Sequence, residues 1–561
     1  MTGPSVEVIL ARAIFAVNGD LLIYFWPVII IVILVAAILR FWQLTAVPPA
    51  LDWDEVSNAY NGYSILKTGR DEFGQSFPIL FRAYDGYVPP VLIYLNSIAI
   101  SLLGLNEFAA RAPNAILGTL TVLGIYLLVK ELTRLKSVAL LAALFLAISP
   151  WHILYSRINT FALTPVFFVV FGTYFFLAPL EKKRGLVLAV ILFVLAVFSY
   201  FSAYIFVPLF VLMVVLIYRK RFGVKGSLLI LAPVFLSSFL ILFVLMGGQN
   251  RIRGISIFSD ADVIKIAAEE ARDEGALGLL LHNRRFVYTQ EILKGYLINF
   301  RGDFLFGKGD AVERMVVAGP GFGLLLFWFL PFLLFGLFQI INHKPTGWQI
   351  YLSWLFLAPI AAATSLPQPV STRTTLMIVP LVVLIAYGFY SFRESRKNFS
   401  KILVILMAAN LFLFLHQYFV HFPIEKSDKW FYGYRQLFYF LNKSENAHKN
   451  VHFVFSQPDT LDQVHMFLLF YNKIDPSKWQ ANGGTRLGCI GTTGQFSFDR
   501  YDFIPYSCLA SPVDLEKFSD RDLVVTSKVL HGEYLEKISY LSGRDAFYIY
   551  EYGKIQDEIS F

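Results

Sequence analysis

Residues 48–103 read PPALDWDEVSNAYNGYSILKTGRDEFGQSFPILFRAYDGYVPPVLIYLNSIAISLL, and the placement of this stretch decides the fold. It follows an apolar run at 21–40 and carries Asp52, Asp54, Glu55 and Asp85 among aromatic residues. The surrounding chain of 561 residues is 56% hydrophobic, 17% aromatic and 16% charged, with a mean hydropathy of +0.58, which excludes an ordinary soluble globule. The end of the stretch, residues 91–103, is apolar but short of the roughly 20 residues that cross a ~30 Å hydrocarbon core. Counting it as a span would also invert every later loop. The loops 130–136, 181–184, 219–225, 342–347 and 393–401 hold 15 Lys or Arg, whereas the short loops between them hold only Arg157 and Arg373. The positive-inside rule therefore puts the first set in the cytoplasm and the acidic stretch outside. Residues 91–103 then read as a juxtamembrane helix, started by Pro89 and Pro90 and ended near Gly104.

On this reading the chain is a polytopic α-helical membrane protein with about 11 transmembrane helices, at approximately 21–40, 110–130, 137–150, 161–180, 185–200, 203–218, 227–246, 317–341, 348–365, 374–392 and 402–420. The first run reads as an uncleaved anchor. After residue 420 the long runs stop and short strand patterns such as VHFVF appear, so 421–561 is expected to be a small outward α/β domain beside a membrane domain at 1–420. The membrane domain includes a first outward loop at 43–109 and a long outward loop at 247–316, with a capped, charged helix expected at 259–275. The net charge of +8 divides into 15 basic against 18 acidic residues in 421–561 and 33 against 22 before it, so the basic excess is topology rather than a nucleic-acid surface. Cys489 and Cys508 both fall in the outward domain, where a disulfide and two thiols are both compatible with the sequence. No P-loop, dinucleotide fingerprint or Cys/His metal spacing occurs.

Within the first loop, Val56, Ala59, Tyr60, Tyr63 and Leu66 fall at helical spacing before Gly69, so a short helix begins at Asp52. Asp52 and Glu55 have the spacing of a capping box, and Asp54 suits the positive end of the helix. Held there, Asp54 is also the candidate to take a proton from a hydroxyl at the membrane face. Asp85 sits in an Asp-Gly turn between Tyr84 and Tyr87, which read either as interfacial anchors or as platforms for a sugar ring. His152, Arg157, Arg251, Arg253, Arg301 and Arg373 are the other outward candidates. A single arginine at a span's end usually snorkels, but several together hold phosphate through paired hydrogen bonds.

The order of an acidic first loop with Asp-Glu, a Pro-Pro helix, NEFAARAPNAILGTL, SPWHILYSR and a late Arg before a Pro-containing span resembles the GT-C class of integral-membrane glycosyltransferases. Nearest in pattern are the protein O-mannosyltransferase-like family, glycosyltransferase family 39, and the lipid A aminoarabinose transferases, over roughly residues 20–400. The resemblance implies a polyprenyl-phosphate-linked sugar as donor and an acceptor protein, lipid or glycan on the extracytoplasmic face of the plasma membrane. It also implies Asp54 as base with Glu55 beside it and Arg373 near the donor phosphate. Where the family often has Lys or His before Pro-Pro, this chain has Tyr87 and Val88, leaving Arg82 as a substitute cation. No cofactor is required by this chemistry, and a divalent cation remains compatible with it. The rival expectation is a transporter or flippase of lipid-linked sugars, which would gather ionisable groups at the membrane midplane.

Overall fold

The computed structural model describes residues 22–84, 86–178, 182–246, 257, 265, 284–317, 322–455, 458–482, 496–505 and 518–556. Asp85, Arg251, Arg253, Cys489, Cys508 and nearly all of the helix expected at 259–275 lie outside the described residues. The chain divides into two compact units, one of Met1–Trp42 with Asn114–Gln417 and the other of Gln43–Pro113 with Tyr418–Phe561. This division differs from a single break at residue 420, because Gln43–Pro113 groups with the C-terminal sequence.

The first unit is helical. It contains α1 (Leu22–Phe41) and most of the helix Glu107–Thr133. Among the described residues, four helices are long and apolar enough to cross a membrane: Glu107–Thr133, Arg219–Leu245, Ser371–Ser395 and Asn398–Glu425. A fifth span is obtained if Lys136–Ala147 and Pro150–Ser156, bent by 59°, count together. Shorter apolar helices of 10–17 residues accompany them, and the chain is a multi-pass helical membrane protein. Helix ends depart from the hydropathy reading where proline intervenes. The expected span 317–341 becomes a helix only at Leu330–His343, after the turn Phe327–Phe329, with Pro331 in its first turn. The expected span 348–365 is interrupted between Trp348–Leu357 and Ile360–Ala363, at Pro359. Leu330–His343 packs closely on Ile378–Ser395, and Gly336 permits it: a Cβ there would collide with the Leu384 carbonyl oxygen.

The second unit combines α2 (Trp53–Thr68), the hairpin β1 (Phe81–Ala83) and β2 (Gly86–Val88), and α3 (Val91–Leu103) with a six-stranded sheet. That sheet runs β4-β5-β3-β6-β8-β7, built from β3 (Val451–Phe455), β4 (Phe496–Phe498), β5 (Tyr501–Pro505), β6 (Leu523–Thr526), β7 (Gly532–Ser539) and β8 (Asp545–Ile555). β5, β3 and β6 are parallel; the outer pairings are antiparallel. Helix Pro458–Tyr471 follows β3, as a parallel crossover requires. Leu51, Val56, Ala59, Tyr60 and Ile100 share one buried core with Leu437, Phe467, Leu468 and Trp479. Of the face that periodicity assigned to α2, Val56, Ala59, Tyr60 and Tyr63 pack with the C-terminal sequence, whereas Leu66 is exposed. α3 has the bounds expected from Pro90 and Gly104 and lies tightly on α2, where a Cβ on Gly62 would meet Ser97 N at 2.9 Å.

Candidate active site

The first turn of α2 is fixed at both ends of its local chemistry. Glu55 N donates to Asp52 Oδ1 at 2.8 Å and Asp52 N donates to Glu55 Oε2 at 3.1 Å, completing the capping box. Gly69, in the left-handed conformation, closes the other end of the helix. Glu55 does more than cap. Arg111 Nε and Nη2 donate to its two oxygens, each at 2.9 Å, and both groups are buried. The remaining Arg111 donors go to the carbonyls of Leu44, Pro48 and Ala50, so all five guanidinium N–H groups are used. Capping is worth about 1 kcal/mol, whereas breaking a buried ion pair of this kind costs about 3–5 kcal/mol. Glu55 is thus a structural pin for the loop at 44–55. Arg111 was not singled out from sequence, although NEFAARAPN displays it.

Asp54 is only half-buried and stands between these pinned residues. Its neighbour Trp53 is also half-buried; the Trp53 carbonyl accepts a hydrogen bond from Tyr84 Oη at 2.9 Å, and its ring lies 4.9 Å from Phe431. Tyr84 is thereby an anchor of α2 as well as a surface ring. Tyr87 is half-buried on β2 opposite Arg82, which is exposed with its guanidinium 4.6 Å from the Phe73 ring. Below α2, Glu72 is buried and exchanges hydrogen bonds with Asn61. Asp71 beside it is held above the usual carboxylate range, chiefly by burial.

In the helical unit, Arg373 lines a cavity of about 170 Å³ with Tyr200, Phe201, Tyr204, Thr364 and Ser365. Its guanidinium donates to Ser365 Oγ at 3.0 Å, Pro367 O at 3.1 Å and Leu366 O at 2.9 Å. Tyr204 is 3% exposed, and its hydroxyl has no hydrogen-bond partner among the described residues. A cation fixed at the edge of an aromatic cavity with an unmet hydroxyl is suited to an anionic, oxygen-rich group. The other basic candidates are not among the cavity's described lining. Arg157 is fully buried and donates to Leu39 O, while His152 is fully buried with Nδ1 2.6 Å from Arg40 Nη2. Arg40, which the sequence reading passed over, also donates to the carbonyls of Ala36 and Ala147. Arg301 is exposed and paired with Asp303 at 2.6 Å. No three His, Cys, Asp or Glu residues form a metal-ligand group among the described residues.

Residues 87–244 match the family model for dolichyl-phosphate-mannose-protein mannosyltransferase. The mannosyltransferase-like protein YkcB of Bacillus subtilis (strain 168) is 26% identical over 225 residues, a match that takes in 37% of this chain and 30% of that relative's length. Among solved structures, ArnT from Cupriavidus metallidurans bound to undecaprenyl phosphate aligns with a TM-score of 0.51 and 13% identity, over 95% of this chain and 98% of that one. The apo oligosaccharyltransferase of Archaeoglobus fulgidus aligns with a TM-score of 0.45 and 15% identity, over 81% of this chain and 64% of that one. In fold the chain resembles the GT-C integral-membrane glycosyltransferases, and over residues 87–244 its sequence is similar to the protein mannosyltransferase family.

Proposed function

We propose that this protein transfers a monosaccharide from a polyprenyl-phosphate donor to an acceptor hydroxyl on the extracytoplasmic face of the membrane. The observation that carries the reading is the aromatic cavity lined by Arg373 and by Tyr204, whose buried hydroxyl has no hydrogen-bond partner among the described residues. In this reading Arg373 holds the donor phosphate and stabilises the charge that grows as it leaves. The acceptor oxygen attacks the anomeric carbon and the carbon–oxygen bond to phosphate breaks. The phosphate leaves with the electron pair, and the hydroxyl proton passes to Asp54. One displacement inverts the anomeric centre. Glu55 contributes by holding the turn that carries Asp54. We also read the shorter apolar helices as spans and α3 as juxtamembrane, giving eleven crossings with 43–109 and 421–561 outside a plasma membrane.

Purified protein supplied with an undecaprenyl-phosphate-linked hexose tests this. Asp54→Asn is nearly isosteric, so transfer is expected to fall about 10²- to 10⁴-fold without a change in melting temperature. Arg373→Lys keeps the charge and loses the guanidinium geometry, so donor use is expected to fall about tenfold or more. Wild-type transfer by both variants would remove the assignment. Translocation of the lipid in liposomes without any sugar transfer would establish the flippase instead.

A further inference from the structure

Asp310 lies in the irregular stretch between the turns Asp303–Gly307 and Glu313–Met315, 63 residues before Arg373 in sequence, and it is buried. Its Oδ1 accepts from Val312 N at 2.8 Å. Its Oδ2 accepts from Ser371 N at 2.8 Å and from the Ser371 hydroxyl. Ser371 Oγ also meets the buried Tyr155 hydroxyl at 2.5 Å, and Ala311 N donates to Pro369 O at 3.1 Å. Ser371 opens the helical segment Ser371–Ser395, whose third residue is Arg373. The first N–H groups of a helix need outside acceptors, and the capping position here is Val370, which has no side-chain acceptor to offer. Asp310 supplies that acceptor from another part of the chain. Ser371 is the first residue of the helix, and a capping side chain at position 370 would reach the second or third N–H instead, so this donor is met only from a separate part of the chain. Asp310 is thereby fixed to the helix turn that carries Arg373, two residues beyond Ser371; burial and the Ser371 and Val312 hydrogen bonds act most on its carboxyl, and the positive charge of Arg373 acts on it in the same sense as those hydrogen bonds.

We propose that Asp310 is the positioning residue for Arg373, tying the outer stretch 303–317 to the start of the segment that places the guanidinium at the cavity. The inference rests on the reading of Arg373 as the donor-phosphate ligand. Asp310 orients the helix start through Ser371 and offsets the arginine's charge while the cavity is empty, so an arriving phosphate meets a guanidinium already in place. Any change in the stretch 303–317 is then felt at the cavity.

The test is a mutant cycle with undecaprenyl phosphate as the probe, measured by equilibrium binding to the detergent-solubilised full chain, with melting temperatures alongside. Asp310→Asn is expected to weaken binding about tenfold in the wild-type background and less than about twofold in an Arg373→Ala background, with the same drop in melting temperature in both. An equal loss of binding in both backgrounds means that Asp310 only supports the fold, and overturns the proposal. Unchanged binding in Asp310→Asn also overturns it. Ser371→Ala removes the hydroxyl contact and keeps the backbone one, and carries the same cycle should Asp310→Asn not fold. If Arg373→Ala alone binds the probe as the wild type does, the donor reading fails first, and that outcome is distinct from a failed cycle.

Discussion

Tyr204 and Arg111 show how differently two buried polar side chains can be settled. Arg111 meets an acceptor with every N–H, while the Tyr204 hydroxyl meets none among the described residues. An unmet buried hydroxyl costs about 1–3 kcal/mol unless a ligand supplies the partner. Tyr204→Phe is therefore expected to leave melting temperature unchanged or raised in the empty protein, and to weaken undecaprenyl phosphate about tenfold in the same binding measurement. Tighter or unchanged binding would mean that the hydroxyl does not face the ligand. Neither residue could be ranked from sequence, because an arginine in NEFAARAPN and a tyrosine in SYFSAY say nothing of where their polar ends go. Asp52 and Glu55 were legible, since a capping box is a contact between residues three apart.

At the scale of the element, the loop that ends α2 is an Asx turn in which Asp71 Oδ1 accepts from Phe73 N at 3.0 Å and Gln75 N at 2.8 Å. Its Oδ2 is buried without a partner among the described residues, and burial raises the carboxyl above its ordinary value. A raised folded-state value means that the neutral form is favoured on folding. The stabilisation is full below the unfolded value of 3.8 and is lost as pH rises through the folded one. Asp71→Asn keeps the Oδ1 acceptor and removes the charge. It is expected to raise the melting temperature at pH 7 and to bring no gain near pH 3.5, as thermal denaturation at the two pH values will show. The ends of α2 and α3 followed from Asp52, Gly69, Pro90 and Gly104, all local signals. The late helix start at Leu330, with Pro331 in its first turn, and the interruption at Pro359 show the limit of hydropathy, which averages over a window and registers neither a helix start nor a missing N–H.

For the molecule as a whole, the decisive fact is that α2 shares its core with the C-terminal sequence. Burying Leu51, Val56 and Tyr60 is worth about 1.5–3 kcal/mol for each large side chain, far more than a 16-residue helix gains from its own propensity. A chain ending at residue 420 is expected to lose hydrogen-exchange protection across 53–68 and, with it, sugar transfer. Protected α2 amides in that truncated chain would show that the loop at 43–113 stands without the sheet.

Composition, the asymmetry of Lys and Arg among the short loops, and the local caps determined that this is a multi-pass helical protein with an acidic helix start at residues 52–55, because hydropathy and neighbouring-residue contacts are properties of short windows. Tertiary structure decided the rest. It set Glu55 against Arg111, Asp310 against Ser371, Arg373 and Tyr204 around one cavity, and residues 43–113 with the C-terminal sheet. Each of these pairings joins positions tens to hundreds of residues apart, and the side chains meet only because packing and the need to satisfy buried polar groups bring them together.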